Sequence, residues 1–349
     1  MKLTFRWYGA ADRVPLRHIR QIPSVQGIVS AVYDVPVGVP WTREHVSRLV
    51  DEITAEQLAL TVVESIPVHE HIKLGAPDRD RSIDAWAESL RQVGEAGVPV
   101  VCYNFMPIFD WMRTDLAHPL PDGSTTLTFS DEALARIDLS RGTGELPGWS
   151  AAYDAETLGT LRRQWQQVAP EQLWENLAYF LERVVPVAES VNVKLAMHPD
   201  DPPWSIFGLP RIITDAAALR RLLSLVDRPA NGLTFCTGSL GVLAENDLPA
   251  MVDEFAALGR IHFMHCRNVK RRREVPGARA FDEVAHPSVH GDVDMRGVMA
   301  ALARHGYAGP MRSDHGRMIW GEEGRPGYGL HDRALGAMYL QGLWEGVNP

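Results

Sequence analysis

Eight short apolar runs, each followed by a polar turn and a stretch of helical periodicity, restrict how this chain can fold more than any other feature. They cover residues 3–8, 27–33, 59–64, 98–104, 193–198, 232–236, 260–265 and 309–314. Most are continuously apolar rather than alternating, as parallel strands covered on both faces must be. Helical patterns lie between them. Thr42 can cap a helix reaching about residue 57, with Val46, Leu49, Val50 and Ile53 on one face. A second runs from Ser82 to Ala96, where Gly97 supplies a stop. Further segments are expected at 171–189, 215–226, 247–258, 295–305 and 332–344, with Pro186 kinking the end of the first of these. The first connection, around 15–21, is short.

Alternation of strand and helix means an α/β fold, and eight units favour a closed (β/α)8 TIM barrel over an open doubly wound sheet. A chain of 349 residues could hold two domains, but such a barrel can take the whole length. We therefore expect one domain over 1–349. Residues 105–170, after the fourth strand, are too long for an ordinary loop and read as an insertion over the barrel mouth. That insertion should contain a hairpin turn at Pro121-Asp122-Gly123 and helical pieces after Ser150. No GxGxxG follows the first strand, so dinucleotide binding has no support.

A net charge of −9 is a poor footprint for nucleic acid. The basic run Lys270, Arg271, Arg272, Arg273 reads as a solvated loop, or else as a lure for an anionic substrate or partner subunit. Neither a signal core at the N-terminus nor an apolar run of about 18 residues is present, so no membrane partner is expected. Cys102, Cys236 and Cys266 do not make a disulfide framework, and a reducing, cytoplasmic setting is expected.

Active sites of such barrels sit at the C-terminal ends of the strands. The last four strands end in His198, Cys236, His265 and Asp314, all metal-ligand types. Strands about 4.8 Å apart can bring four adjacent ends onto one ion. A mixed nitrogen, sulfur and carboxylate set suits Zn2+, Fe2+, Co2+ or Mn2+, and the thiolate by itself favours zinc. Asp200 and Asp201 are rival carboxylates, read as loop or supporting residues before Pro202-Pro203. His315 follows Asp314 directly, and Tyr328 lies in a Gly/Pro-rich loop that can fold over the mouth; both are acid–base candidates. A dication nearby would lower the Tyr328 pKa.

Several stretches resemble the mannonate dehydratase family. They are Phe5-Arg6-Trp7-Tyr8-Gly9, Val62-Val63-Glu64-Ser65-Ile66-Pro67-Val68-His69-Glu70, Val101-Cys102-Tyr103-Asn104-Phe105-Met106-Pro107 and Asp110-Trp111-Met112-Arg113-Thr114-Asp115-Leu116. Leu120-Pro121-Asp122-Gly123-Ser124, His198-Pro199-Asp200-Asp201-Pro202-Pro203, Asn231-Gly232-Leu233-Thr234-Phe235-Cys236-Thr237-Gly238-Ser239 and Gly291-Asp292-Val293-Asp294-Met295 extend the match. The resemblance implies a Mn2+-dependent lyase that converts D-mannonate to 2-dehydro-3-deoxy-D-gluconate in hexuronate catabolism. It implies His198, Cys236, His265 and Asp314 as metal ligands, His315 and Tyr328 as the catalytic pair, and a homo-oligomer, dimer or tetramer. It also moves the expected metal from zinc to Mn2+, with Fe2+, Co2+ and Zn2+ as alternatives. Ser313 stands where the pattern has Pro, Cys266 where it has an apolar residue and His290 where it has Asn. These departures are expected near the pocket, where they would bear on which aldonate is the substrate.

The chemistry expected is loss of water from a sugar acid: proton removal at C2 and departure of the C3 hydroxyl, with Tyr328 and His315 as acid and base. Arg6, Trp7, Arg267 and His286 are candidates for holding the substrate. The rival enzyme is a metal-dependent sugar isomerase or epimerase on the same barrel, whose carboxylate-rich sites fit this Cys and His set poorly. A metal-binding homologue without activity is the non-enzymatic alternative.

Overall fold

The structure is a computed structural model that describes residues 1–141, 148–150, 153–272 and 277–348. Eight parallel strands close a barrel: β1 (Lys2–Arg6), β2 (Val25–Ser30), β3 (Ala59–Glu64), β4 (Val100–Tyr103), β5 (Lys194–Met197), β6 (Asn231–Cys236), β7 (Ile261–His265) and β8 (Pro310–Arg312). Each pairs with its sequence neighbours, and β8 pairs with β1 to close the ring. All eight runs expected from sequence are barrel strands.

Outside lie α1 (Leu16–Ile19), α2 (Arg43–Ala55), α3 (Arg79–Glu95), α4 (Pro170–Ser190), α5 (Ala216–Leu225), α6 (Leu248–Ala257), α7 (Met295–Arg304) and α8 (His331–Val347). Thr42, Asp215, Asp247 and Asp294 each accept a hydrogen bond at a helix start from the backbone N–H three residues on, satisfying a donor the helix cannot. Beyond the end of α3, Gly97 has φ +81°, which a side chain would disfavour. Helix α4 continues four residues past Pro186.

Two packed regions result. Inside the barrel a small cluster of Val29, Val62, Val100, Cys102, Ala196 and Phe263 fills the axis. Thr4 and Thr234 donate to the carbonyls of Met311 and Ala196, so their hydroxyls cost little there. The larger core lies between strands and helices.

The 105–170 segment carries the expected hairpin: strands Asp115–Pro119 and Thr125–Ser130 run antiparallel about the turn at Gly123, whose φ is +84°. Helix Ala155–Trp165 follows Ser150, as expected. What sequence did not suggest is that this hairpin joins a second one, formed after β7 by Asn268–Arg272 and Ala280–Val284, in a four-stranded antiparallel sheet. The basic run is therefore not a solvated loop. Lys270 and Arg271 pair with Asp292, and Arg272 with Asp282; Arg273 lies outside the described residues. Opposite charges on neighbouring backbone, invisible locally, absorb it.

Candidate active site

Register carries the ends of β6, β7 and β8 to one level. Cys236 sits beside His265, and His265 beside Arg312. Ligand atoms of His198, Cys236 and His265 all lie within 4.8 Å of one another. His198 Nε2 is 3.2 Å from His265 Nδ1, and Asp314 Oδ2 is 3.4 Å from that same nitrogen. His198 directs Nδ1 at the Pro199 carbonyl, 2.7 Å away. A proton on Nδ1 leaves Nε2 as a lone pair aimed at the cluster, the tautomer a metal ligand needs.

The electrostatics agree with a cation-binding set. Burial alone would push the Cys236 thiol up, but the Arg267 guanidinium and the His198 and His265 imidazoles hold it well below its usual value, as a thiolate. Burial likewise opposes an ionised Asp314, yet Arg312, His265, His315 and Arg267 hold it well below the carboxylate range. Asp314 Oδ1 lies 2.7 Å from Arg312 Nη2, and His265 Nε2 lies 3.5 Å from Glu64 Oε2. Two nitrogens, a thiolate and a carboxylate thus converge, and the chemistry of this donor set fits a divalent metal.

Asp314 follows β8 with φ +65°, a left-handed backbone uncommon for a residue with a side chain. Consecutive residues of a strand point to opposite faces. The turn at Asp314 breaks that rule, and Asp314 and His315 both line the pocket. His315 Nε2 is 2.7 Å from the Tyr328 hydroxyl, and its Nδ1 is 2.8 Å from Glu283 Oε2. Burial and the charge of Asp314 push the Tyr328 phenol up to about 12. A phenolate there needs added positive charge, not the bare pocket.

The pocket is a cavity of about 80 Å³. Its lining shares Ser65, Asn104 and Asp110 with a neighbouring cavity of about 340 Å³ bounded by His69, Tyr153 and Leu161. Met106, Asp110 and Trp111 from the inserted segment complete its wall.

Of the four residues considered for holding substrate, Arg6 and Arg267 line the pocket. Arg6 Nη1 pairs with Glu64 at 2.8 Å. Arg267 is held by Asp201 at 2.6 Å and Glu283 at 2.7 Å. Trp7 does not line it: the side chain is buried in the outer core, because Arg6 and Tyr8 take the inward face of the strand and Trp7 must take the other. His286 is also turned away, with Nε2 2.9 Å from the Ser313 carbonyl. The three departures from the family pattern do not reach the pocket either. Ser313 donates to the Arg333 carbonyl, Cys266 packs in the core and His290 is exposed. Asp201 lines the pocket and binds Arg113 and Ser239, while Asp200 accepts from the backbone N–H groups of Ile212 and Ile213.

Sequence reasoning passed over Glu64, Arg312 and Glu283. The strand-end rule marks Glu64 as the polar end of β3 but gives it no role, and Arg312, which ends β8, could have been weighed by the same rule. Arg312 Nη2 lies 2.9 Å from Glu64 and 2.7 Å from Asp314. Glu283 belongs to the second hairpin and carries no local signal.

A family model described as D-mannonate dehydratase (UxuA) matches residues 1–349. Among curated relatives, Mannonate dehydratase 2 of Halalkalibacterium halodurans is 51% identical over 348 residues, covering 100% of both chains. Mannonate dehydratase of Thermotoga petrophila is 52% identical over 359 residues, covering 100% of this chain and 98% of the relative. The crystal structure of mannonate dehydratase from Streptococcus suis serotype2 superposes with TM-score 0.92 at 48% identity, over 99% of this chain and 95% of that one. A D-tagatose 3-epimerase-like protein, at 13% identity and TM-score 0.57 over 100% of this chain and 98% of that one, shares the fold alone.

Proposed function

The chain belongs to the D-mannonate dehydratase family and is a hydro-lyase, and from that premise we propose how its own residues remove water from D-mannonate to give 2-dehydro-3-deoxy-D-gluconate. The observation that carries the reading is the His315–Tyr328 contact of 2.7 Å in the same pocket as the His198, Cys236 and His265 cluster. An isomerase or epimerase shares only the barrel.

His198, Cys236, His265 and Asp314 would hold the divalent ion, for which Mn2+ is the reading, with Fe2+, Co2+ and Zn2+ as alternatives. Such an ion supplies Lewis-acid polarisation of a substrate carboxylate and adjoining hydroxyl, which acidifies the C2–H. His315 and Tyr328 hold one proton between them at 2.7 Å, so the pair can accept the C2 proton and deliver one to the departing C3 hydroxyl. Water leaves, and the resulting enol tautomerises to the keto acid. Arg312 Nε and Nη1 and Arg6 Nε are buried without partners among the described residues, leaving guanidinium donors for a carboxylate or hydroxyls. Arg267 is committed to Asp201 and Glu283 and supports the site instead.

Incubation of the Mn2+-loaded protein with D-mannonate should yield a 2-keto-3-deoxy acid. Product no greater than that of a His315→Asn, Tyr328→Phe double variant would overturn the assignment. A cytoplasmic setting suits the free thiols Cys102, Cys236 and Cys266, and no helix among the described residues is long and apolar enough to cross a membrane. A dimer or tetramer, read by light scattering, is the assembly that accompanies this reading.

A further inference from the structure

Glu283 lies on the strand Ala280–Val284 of the second hairpin, outside the barrel, yet its buried carboxylate reaches the acid–base pair. Oε2 and Oε1 are 2.8 and 2.9 Å from His315 Nδ1. Arg113 Nε and Arg267 Nη1 donate to Oε1 at 2.9 and 2.7 Å. The strand itself is pinned where Thr126 donates to the Glu283 carbonyl.

We infer that Glu283 is a positioning residue: it holds His315 in the tautomer protonated at Nδ1, so that Nε2 meets the Tyr328 hydroxyl as a lone pair. Two atoms 2.8 Å apart that both carried only lone pairs would repel, so a proton lies between Nδ1 and Oε2. Two guanidiniums on the same carboxylate keep it ionised, which places that proton on the ring. Arg267 Nη1 is also 3.1 Å from Nδ1, but it is closer to Glu283, and a bare Nδ1 would leave Oε2 facing a lone pair. The Trp111 ring, with centroids 5.3 Å apart, flanks the imidazole and limits its rotation. When Nε2 takes up a proton, the ring becomes a cation facing the Glu283 charge, which stabilises it. The accessory sheet is then part of the chemistry: it supplies the group that orients the base.

This rests on the dehydratase reading for its activity readout, but not for its tautomer readout. The test uses Glu283→Gln and Glu283→Asp in metal-loaded protein. A glutamine can turn its oxygen to the two arginines and its N–H2 to Nδ1, forcing the other tautomer. With D-mannonate, Glu283→Gln should lower kcat by roughly 10²- to 10⁴-fold while KM stays within about threefold and metal stoichiometry is unchanged. Glu283→Asp should recover about tenfold of that loss. In ¹⁵N-histidine protein loaded with diamagnetic Zn2+, the signal that disappears in His315→Asn should show protonation at Nδ1 in the wild type and at Nε2 in Glu283→Gln. A Glu283→Gln enzyme with near-wild-type kcat, or a wild-type ring protonated at Nε2, overturns the inference. If the glutamine variant does not fold or loads no metal, the wild-type tautomer and the aspartate variant decide. If wild type shows the stated tautomer but no turnover on D-mannonate, the substrate reading fails and the positioning role stands.

Discussion

Tyr328 and His315 have a joint use because neither is suited to the task alone. Burial and Asp314 raise the phenol to about 12, so at neutral pH it is a donor, and His315 Nε2 lies 2.7 Å from it. Tyr328→Phe removes the shared proton but keeps the ring, which packs edge-on to His315 and Tyr8. The expected result is a loss of roughly 10²- to 10⁴-fold in kcat with little change in KM or melting temperature, read by steady-state kinetics and calorimetry. An equal rise in KM would mean the hydroxyl only binds substrate. At this scale the sequence was informative where one rule sufficed. His198, Cys236, His265, Asp314 and His315 were singled out because they lie at or just past strand ends, which in a barrel face one mouth, and their side chains converge there. Trp7 was misplaced because alternation was not applied within the same rule: Arg6 and Tyr8 line the pocket, and Trp7 between them packs into the outer core. His286 and Glu283 come from the hairpin region, where side-chain direction depends on a sheet that had not been foreseen.

Strands and helices of the barrel were legible because each writes its own period into the chain. The accessory sheet was not, because its central pairing joins Thr125–Ser130 to Ala280–Val284, far apart in sequence, and neither strand is apolar enough to announce itself. Close packing between elements gives a prediction of its own. Gly232, in β6, faces His262 in β7. A Cβ there would lie 2.3 Å from His262 Cε1 and 2.6 Å from the Arg260 carbonyl oxygen. The ring cannot swing aside cheaply, since its Nδ1 bonds the Leu195 carbonyl at 2.7 Å, and the backbone oxygen cannot move without shifting the strand. Gly232→Ala should therefore cost about 1–3 kcal/mol, seen as a lower denaturant midpoint with an unchanged slope. Because Cys236 ends the same strand, metal affinity should fall with it. A variant as stable as wild type would show that β6 and β7 have slack here.

Barrel and accessory sheet are joined through charge. Fully buried Arg113, from the inserted segment, binds Asp201 after β5 and Glu283 on the second hairpin, while Arg267 after β7 binds the same two carboxylates. Burial opposes ionisation of both acids, but nearby positive charge prevails: Arg113 and Arg267 hold Asp201 well below the carboxylate range, and His315, then Arg267 and Arg113, bring Glu283 to about 2. Carboxylates titrate near 4 in an unfolded chain. A folded-state value below that adds stability at higher pH, and this contribution is lost as pH falls from about 4 through the folded value. Buried Asp110 and Asp200 are shifted upward and act in the opposite sense. Protonated metal ligands would also release a cation in acid. The useful measurement is therefore a difference between two proteins that share those groups. Arg113→Met keeps much of the side-chain volume and removes one cation, leaving Arg267 as the guanidinium shared by Asp201 and Glu283, with His315 still on Glu283. Breaking a buried network in this way should cost about 3–5 kcal/mol at pH 7. The gap to wild type should then shrink between about pH 4 and 2, because the variant's carboxylates titrate closer to their unfolded values and have less to lose. Urea midpoints at pH 7, 5, 4 and 3 read this directly. Curves that stay parallel across that range would mean that Arg113 holds the two parts together by packing and not by fixing the charge of the carboxylates it touches.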